Sequence, residues 1–233
     1  MRYLLLTILL LITQLTYAEE PSIALANAKV NLHDIKSIER GAKFFATNCM
    51  MCHTLVYLRY DTVAHDAGIT YEKMPINVKA WPNGIKPPDM SNETNVRGPD
   101  WVYTFLHSFY LDSKRPTGFN NLLIPNTSMP SMLTPYQGQL VLAKDVKESI
   151  PIFGAKVQWF DVLEQQSTGI MSPDQFDATM RDVVNFLAYA ADPYHEQQVH
   201  LGIWVIGFLL ILCVLLYLLK KEYWKDIEND DEN

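Results

Sequence analysis

Cysteine is scarce in this 233-residue chain. There are three, too few for a disulfide-rich scaffold. Basic residues are also in short supply, with 19 Lys and Arg against 26 Asp and Glu, a formal charge of −7. A nucleic-acid binder normally presents a basic face, so the balance argues against that class. Charged residues make up 19% of the chain and hydrophobic residues 48%. That composition excludes a disordered chain and supplies a packed core. Phosphate-cradling glycine motifs, Ser/His/Asp orders and paired acid–base carboxylates are not recognisable. The mean hydropathy of −0.03 averages over unlike parts, which have to be separated.

The two ends carry the apolar runs. Residues 1–18 have the form of a secretory signal. Arg2 is the positive start, Leu4 to Ile12 is apolar apart from Thr7, and Thr16-Tyr17-Ala18 offers small residues before a cut ahead of Glu19. The run is short for a membrane span of about 20 residues, which favours cleavage over anchoring. Cleavage removes Arg2 alone among the charged residues and leaves 18 basic against 26 acidic, or −8. Leu201 to Leu219 is free of charge over 19 residues, roughly 28 Å of helix, close to the hydrocarbon thickness. Lys220, Lys221 and Lys225 follow it, while Arg181 alone precedes it within twenty residues. Positive-inside bias therefore puts residues 220–233 in the cytoplasm. The expected plan is a signal at 1–18, an exported domain at 19–200, a transmembrane helix at 201–219 and a short tail. Cys213 sits mid-span as a small apolar residue.

Cys49-Met50-Met51-Cys52-His53 is a C-x-x-C-H sequence, the attachment signature of c-type haem in an exported chain. On a helical turn, positions three apart share a side, so both sulfurs can reach the two vinyl groups of one porphyrin. The histidine that follows can enter the proximal position on iron. A structural zinc site would need four ligands, and the third cysteine lies in the membrane run. A thiol-redox pair would need a strand ahead of the motif. Instead, Asp34 can cap a helix whose stripe is Ile35, Ile38, Ala42 and Phe45. One such motif implies one haem.

For the sixth ligand, methionine would raise the potential and a second histidine would lower it. Met129, in Ser128-Met129-Pro130-Ser131-Met132, lies in a proline-rich stretch where proline can stiffen a ligand loop. Met132 and Met90 are rivals, and His107, in an aromatic helix, is a weaker one. His33, His65, His195 and His200 read as surface or locally bonded residues. Ser172-Pro173-Asp174-Gln175 starts a helix with a capping box. Its apolar face is Phe176, Met180, Val183, Val184, Leu187 and Ala191, and it breaks near Asp192 ahead of Pro193. Asp100 to Tyr110 reads as an aromatic-rich helix. Residues 68–99 and 112–158 read mostly as loops without strand alternation.

Taken in order, these segments resemble the cytochrome c1 family, the haem-bearing subunits of quinol–cytochrome c reductase (the cytochrome bc1 complex), in compact bacterial form. The resemblance runs through Arg40-Gly41 to His53, Pro87-Pro88-Asp89-Met90-Ser91, Arg97 to Tyr110, Arg115-Pro116-Thr117-Gly118, Met129-Pro130, Asp182 to Pro193 and the apolar run. It implies a mainly α, class I cytochrome c-like haem domain with long loops and one C-terminal transmembrane helix. It implies thioether bonds at Cys49 and Cys52, axial ligands His53 and Met129, and Arg97 near a haem propionate. Met129 is preferred to Met132 because the family's ligand directly precedes proline. Gly41 and Phe45 would pack against the late helix near Leu187. The implied partners are cytochrome b beside the span, the Rieske iron–sulfur protein as electron donor and cytochrome c as acceptor, in a dimeric complex. The implied location is the bacterial inner membrane with a periplasmic haem domain. The long acidic insertions of larger members are missing, which leaves the cytochrome c docking surface open. The alternatives are another membrane-anchored cytochrome, a haem sensor, or a membrane-tethered thiol oxidoreductase.

Overall fold

The computed structural model describes residues 23–75, 86–143 and 157–230, so the expected signal segment lies outside the described residues. The helices are α1 (Ile35–Asn48), α2 (Thr62–Asp66), α3 (Glu93–Arg97), α4 (Pro99–His107), α5 (Thr134–Gln137), α6 (Trp159–Val162), α7 (Pro173–Ala191) and α8 (His195–Asp230). The strands are β1 (Phe109–Leu111), β2 (Phe119–Asn121), β3 (Gly138–Leu142) and β4 (Leu163–Thr168). The fold is mainly helical, as expected. It divides into two units, Met1–Ala191 and Asp192–Asn233.

The first unit is organised by α1 lying on α7. Asp34 caps α1 by accepting a hydrogen bond from the Ser37 amide at 3.0 Å. Ile38, Ala42 and Phe45 are buried, whereas Ile35 is 50% exposed. Ile35 occupies the first position, ahead of the helix crossing, so the stripe begins one turn later than its spacing suggests. At the crossing, a Cβ on Gly41 would lie 2.0 Å from the Asp182 carbonyl oxygen and 2.9 Å from the Phe186 Cβ. Only glycine permits that approach. The Phe45 and Phe186 rings meet at 5.8 Å one turn on.

Polar bonds seal the edge of this contact. Asp182 accepts from Arg40 Nε at 2.6 Å and Nη2 at 2.8 Å, and from Ser37 Oγ at 2.6 Å. Buried Asn185 bonds both backbone groups of Asn31 at 2.9 Å. The capping box of α7 forms reciprocally. The Ser172 amide donates to Gln175 Oε1 at 2.9 Å and the Gln175 amide to Ser172 Oγ at 3.2 Å. Phe176, Met180, Val183, Val184 and Leu187 face the core, joined by Ala190 rather than Ala191. The helix stops at Ala191, ahead of Asp192 and Pro193.

Two expectations are corrected. The aromatic helix spans Pro99–His107 rather than Asp100–Tyr110. Past Ser108 the chain enters β1, because Asn121 Nδ2 takes the Phe105 carbonyl at 2.9 Å and β2 pairs antiparallel with β1. Phe and Tyr suit a strand as well as a helix. Short structure also interrupts the expected loops. Helices α3 and α5 lie there, as does β3, which pairs antiparallel with β4. β3 and β4 do not alternate apolar with polar residues, and β4 is exposed beyond Leu163, so neither prints a period-two pattern. The parts of those loops at 76–85 and 144–156 lie outside the described residues.

In the second unit, α8 carries a candidate membrane span, Gln197–Trp224. Its apolar side chains are exposed from Leu201 to Leu219, as a lipid-facing helix requires. Lys220 Nζ lies 6.0 Å from the Trp224 ring centroid, a basic–aromatic pairing suited to the interface.

Replacing Gly41 by alanine gains about 1 kcal/mol of helix propensity. Overpacking against fixed backbone costs about 3 kcal/mol. Gly41→Ala should therefore lose about 2 kcal/mol in a urea titration of the detergent-solubilised chain. A net gain would mean that the helices do not approach this closely.

Candidate haem cleft

The site begins at the end of α1. After Asn48 the helix closes in a turn in which the Cys52 and His53 amides donate to the Cys49 carbonyl at 3.1 and 2.9 Å. Cys49 and Cys52 are both half-buried and Cys213 is exposed; none is in a disulfide. His53 Nδ1 lies 2.8 Å from the Pro88 carbonyl oxygen. That bond fixes the ring and assigns the Nδ1 proton to the carbonyl, the outer-sphere arrangement common to metal-binding histidines.

Burial lowers the His53 pKa, partly offset by the bond to Pro88, so the imidazole is neutral. Burial likewise pushes the Cys49 thiol up to about 12, with a further push from Cys52. A reactive redox cysteine needs the opposite shift.

Cys49 and His53 open onto an apolar cleft. Phe45 comes from α1, Val183 and Leu187 from α7, and Val102, Phe105 and Leu106 from α4. Ile124, Thr127 and Met129 close it from the loop after β2. The remaining wall holds Pro88, Met90, Glu93, Arg97 and Trp101. Arg97 Nε donates to Glu93 Oε1 at 2.7 Å, and its guanidinium carbon lies 4.4 Å over the Trp101 ring. Trp101 in turn stacks on Phe105 at 5.2 Å and 10°.

The sequence-expected residues therefore divide. Cys49, His53, Met129 and Arg97 line the cleft, while Cys52 stands in the turn beside it. Of the rival ligands, Met90 lines the cleft and Met132 does not; Met132 is 38% exposed. His107 is buried outside the cleft, with Nδ1 2.8 Å from the Tyr103 carbonyl. It sits among Tyr103, Trp159 and Phe176 at ring distances of 4.3, 5.3 and 5.2 Å. It is thus locally bonded but not a surface residue. His195 bonds Asp192 at 3.0 Å, and His65 lies 3.9 Å from Asp66.

Two features escaped sequence reasoning. The Pro88 carbonyl is a backbone group, and no residue type announces it. The Glu93–Arg97 pair has helical i,i+4 spacing, but it falls in a stretch read as loop.

Residues 71–227 match the model of the Cytochrome C1 family. The chain is also 38% identical to cytochrome c1 of Allochromatium vinosum, over 97% of this chain and 99% of that protein. It belongs to the cytochrome c1 family. It is 31% identical to a protein of Nitrosomonas europaea named ammonia monooxygenase gamma subunit, over 97% of this chain and 98% of that one. Cytochrome b/c1 of Bradyrhizobium diazoefficiens is 24% identical over 83% of this chain and 34% of its own length.

Family membership makes the chain a membrane-anchored electron-transfer haem subunit of the bc1 complex, with a c-type haem. The residues fit that cofactor. The cleft is apolar, walled by stacked aromatics, and brings the Cys49 thiol, a buried histidine and two thioethers to one place, with Cys52 in the adjoining turn.

One carboxylate supports the histidine side. Asp89 accepts from Thr54 Oγ1 at 2.5 Å, the Val56 amide at 3.0 Å and the Ser91 amide at 2.9 Å. Burial alone would raise its pKa, but the bonds from Ser91, Thr54 and Val56 outweigh it and hold the carboxyl below the usual range. A depressed carboxyl contributes stability above its unfolded pKa and loses it as pH falls through the folded one. Asp89→Asn should therefore destabilise the chain by about 1–2 kcal/mol at pH 7. The difference from wild type should shrink in acid, below about pH 4. Parallel melting curves that never converge in acid would remove the charge from this account.

Proposed function

We propose that the cleft holds one covalent haem c, with thioether bonds at Cys49 and Cys52 and with His53 and Met129 as axial ligands. The observation that carries this reading is the convergence of Cys49, His53 and Met129 on one apolar cavity. The haem supplies a one-electron ferric–ferrous couple whose coordination changes little between states. The chain's residues set its conditions. Pro88 orients His53. Burial keeps the imidazole neutral and excludes water. The methionine sulfur and an apolar surround raise the potential. Arg97 offers a cation toward a propionate while its Nε stays on Glu93.

In this reading the Rieske protein delivers an electron to the chain and cytochrome c removes it. Cytochrome b lies beside the span in a dimeric complex. The signal at 1–18 exports residues 19–200 to the periplasm, residues 201–219 cross the bacterial inner membrane, and 220–233 remain cytoplasmic. The excess of lysine after the apolar run supports that orientation.

Met129→His should lower the midpoint potential and abolish reduction by the Rieske centre in isolated membranes. An unchanged midpoint would transfer the ligand role to Met90 first, since it also lines the cleft. Cys49→Ala should leave haem attached by at most one thioether, seen as a shifted reduced-state band in the pyridine haemochrome assay. A normal yield of doubly linked haem would overturn the attachment.

A further inference from the structure

The loop from Leu122 to Ser131 delivers Ile124, Thr127 and Met129 to the cleft, yet it contains neither helix nor strand. Pro125 and Pro130 lack amide hydrogens, so little backbone bonding is available to hold it. Side chains from outside the loop do the work instead. Asn121 Oδ1 accepts from the Leu123 amide at 2.9 Å, and Asn120 Oδ1 from the Asn126 amide at 2.8 Å. Both asparagines are buried.

The third brace is Arg115, eleven residues back on the β1–β2 connection. Its Nη1 donates to Asn126 Oδ1 at 3.0 Å and its Nη2 to the Asn126 carbonyl oxygen at 2.9 Å. Its Nε is buried without a hydrogen-bond partner among the described residues, and Asn126 is exposed, so the hold on the loop consists of the two Nη bonds. Asn126 needs such a hold, because its φ is +65°, a region that asparagine tolerates at a cost. Beyond it, the Thr127 amide donates to the Ile124 carbonyl at 3.1 Å and the Met129 amide to Thr127 Oγ1 at 3.3 Å. A continuous set of bonds thus runs from Arg115 to the backbone of Met129.

We propose that Arg115 is a positioning residue that, through its two-pronged grip on Asn126, holds the Met129 loop closed over the cleft and so keeps the sulfur on iron. The proposal rests on the reading of Met129 as axial ligand. A planar fork matches two acceptors at once, which a lysine cannot copy.

The test uses the full-length haem-loaded chain in detergent. Exogenous imidazole is titrated against the ferric protein, and the far-red methionine–iron charge-transfer band is followed. Imidazole takes the iron when the loop opens, so its apparent affinity scales with the open fraction. Loss of two charge-assisted bonds in Arg115→Gln should lower the half-bleaching concentration about tenfold. Arg115→Lys should recover only part of that. Lys114→Gln removes a neighbouring exposed charge and should match wild type. If Arg115→Gln does not accumulate, Asn126→Gly serves instead, because it keeps the left-handed backbone and removes one acceptor. It should shift bleaching in the same direction by a smaller factor.

Wild-type bleaching in Arg115→Gln, or in Asn126→Gly where that variant stands in, would overturn the proposal. Met129→Leu separates the two ideas. Loss of its band with unchanged Arg115→Gln bleaching defeats the brace alone, while a retained band in Met129→Leu defeats the ligand reading and the brace with it.

Discussion

The rest of the haem-binding unit depends on the contact between α1 and α7 at Gly41. Without a side chain there, the two backbones come close enough for Phe45 and Phe186 to interlock one turn further on. The Cys49 turn starts where α1 ends, so the crossing places that turn against the rest of the unit. It also decides which face of α7 is left over. Val183 and Leu187 on that face become one wall of the cleft. A shallower crossing would move the thiols away from the opposite wall, on which Met129 stands.

Much of this was legible in the sequence because several signals were local and redundant. C-x-x-C-H, the Asp34 cap and the Ser172–Gln175 box each occupy a few adjacent residues, and their chemistry is carried by residue type. The helix faces were legible for the same reason, apart from their ends. Ile35 and Ala191 fit the period but lie beyond the buried contact, which periodicity cannot see. The strands were not legible. Three residues of β1 cannot show alternation, and whether the chain stays helical past Ser108 is decided by Asn121, thirteen residues further on. The cleft divides the same way. Its thiols and histidine announce themselves, whereas the Pro88 carbonyl and the asparagines that shape the methionine loop act through backbone positions.

Polar side chains hold the irregular parts of this fold. Asn31 is fixed by Asn185, the Pro88–Met90 segment by Asp89, and the Met129 loop by Asn120, Asn121 and Arg115. In each case a polar side chain replaces the backbone ladder that an irregular segment lacks. Long loops are thereby compatible with a defined cleft.

The partners in the founding contact are far apart along the chain. Ser37 and Asp182 bond across 145 residues. Synthesis at 5–20 residues per second takes roughly 7–30 s to cover that distance. Throughout that interval Gly41 has nothing to lie against, and the wall that Val183 and Leu187 supply does not exist. The N-terminal half of the unit therefore cannot close the cleft by itself, although it carries the whole Cys49–His53 turn. A chain cut short ahead of α7 would keep the motif and lose the surface that encloses it.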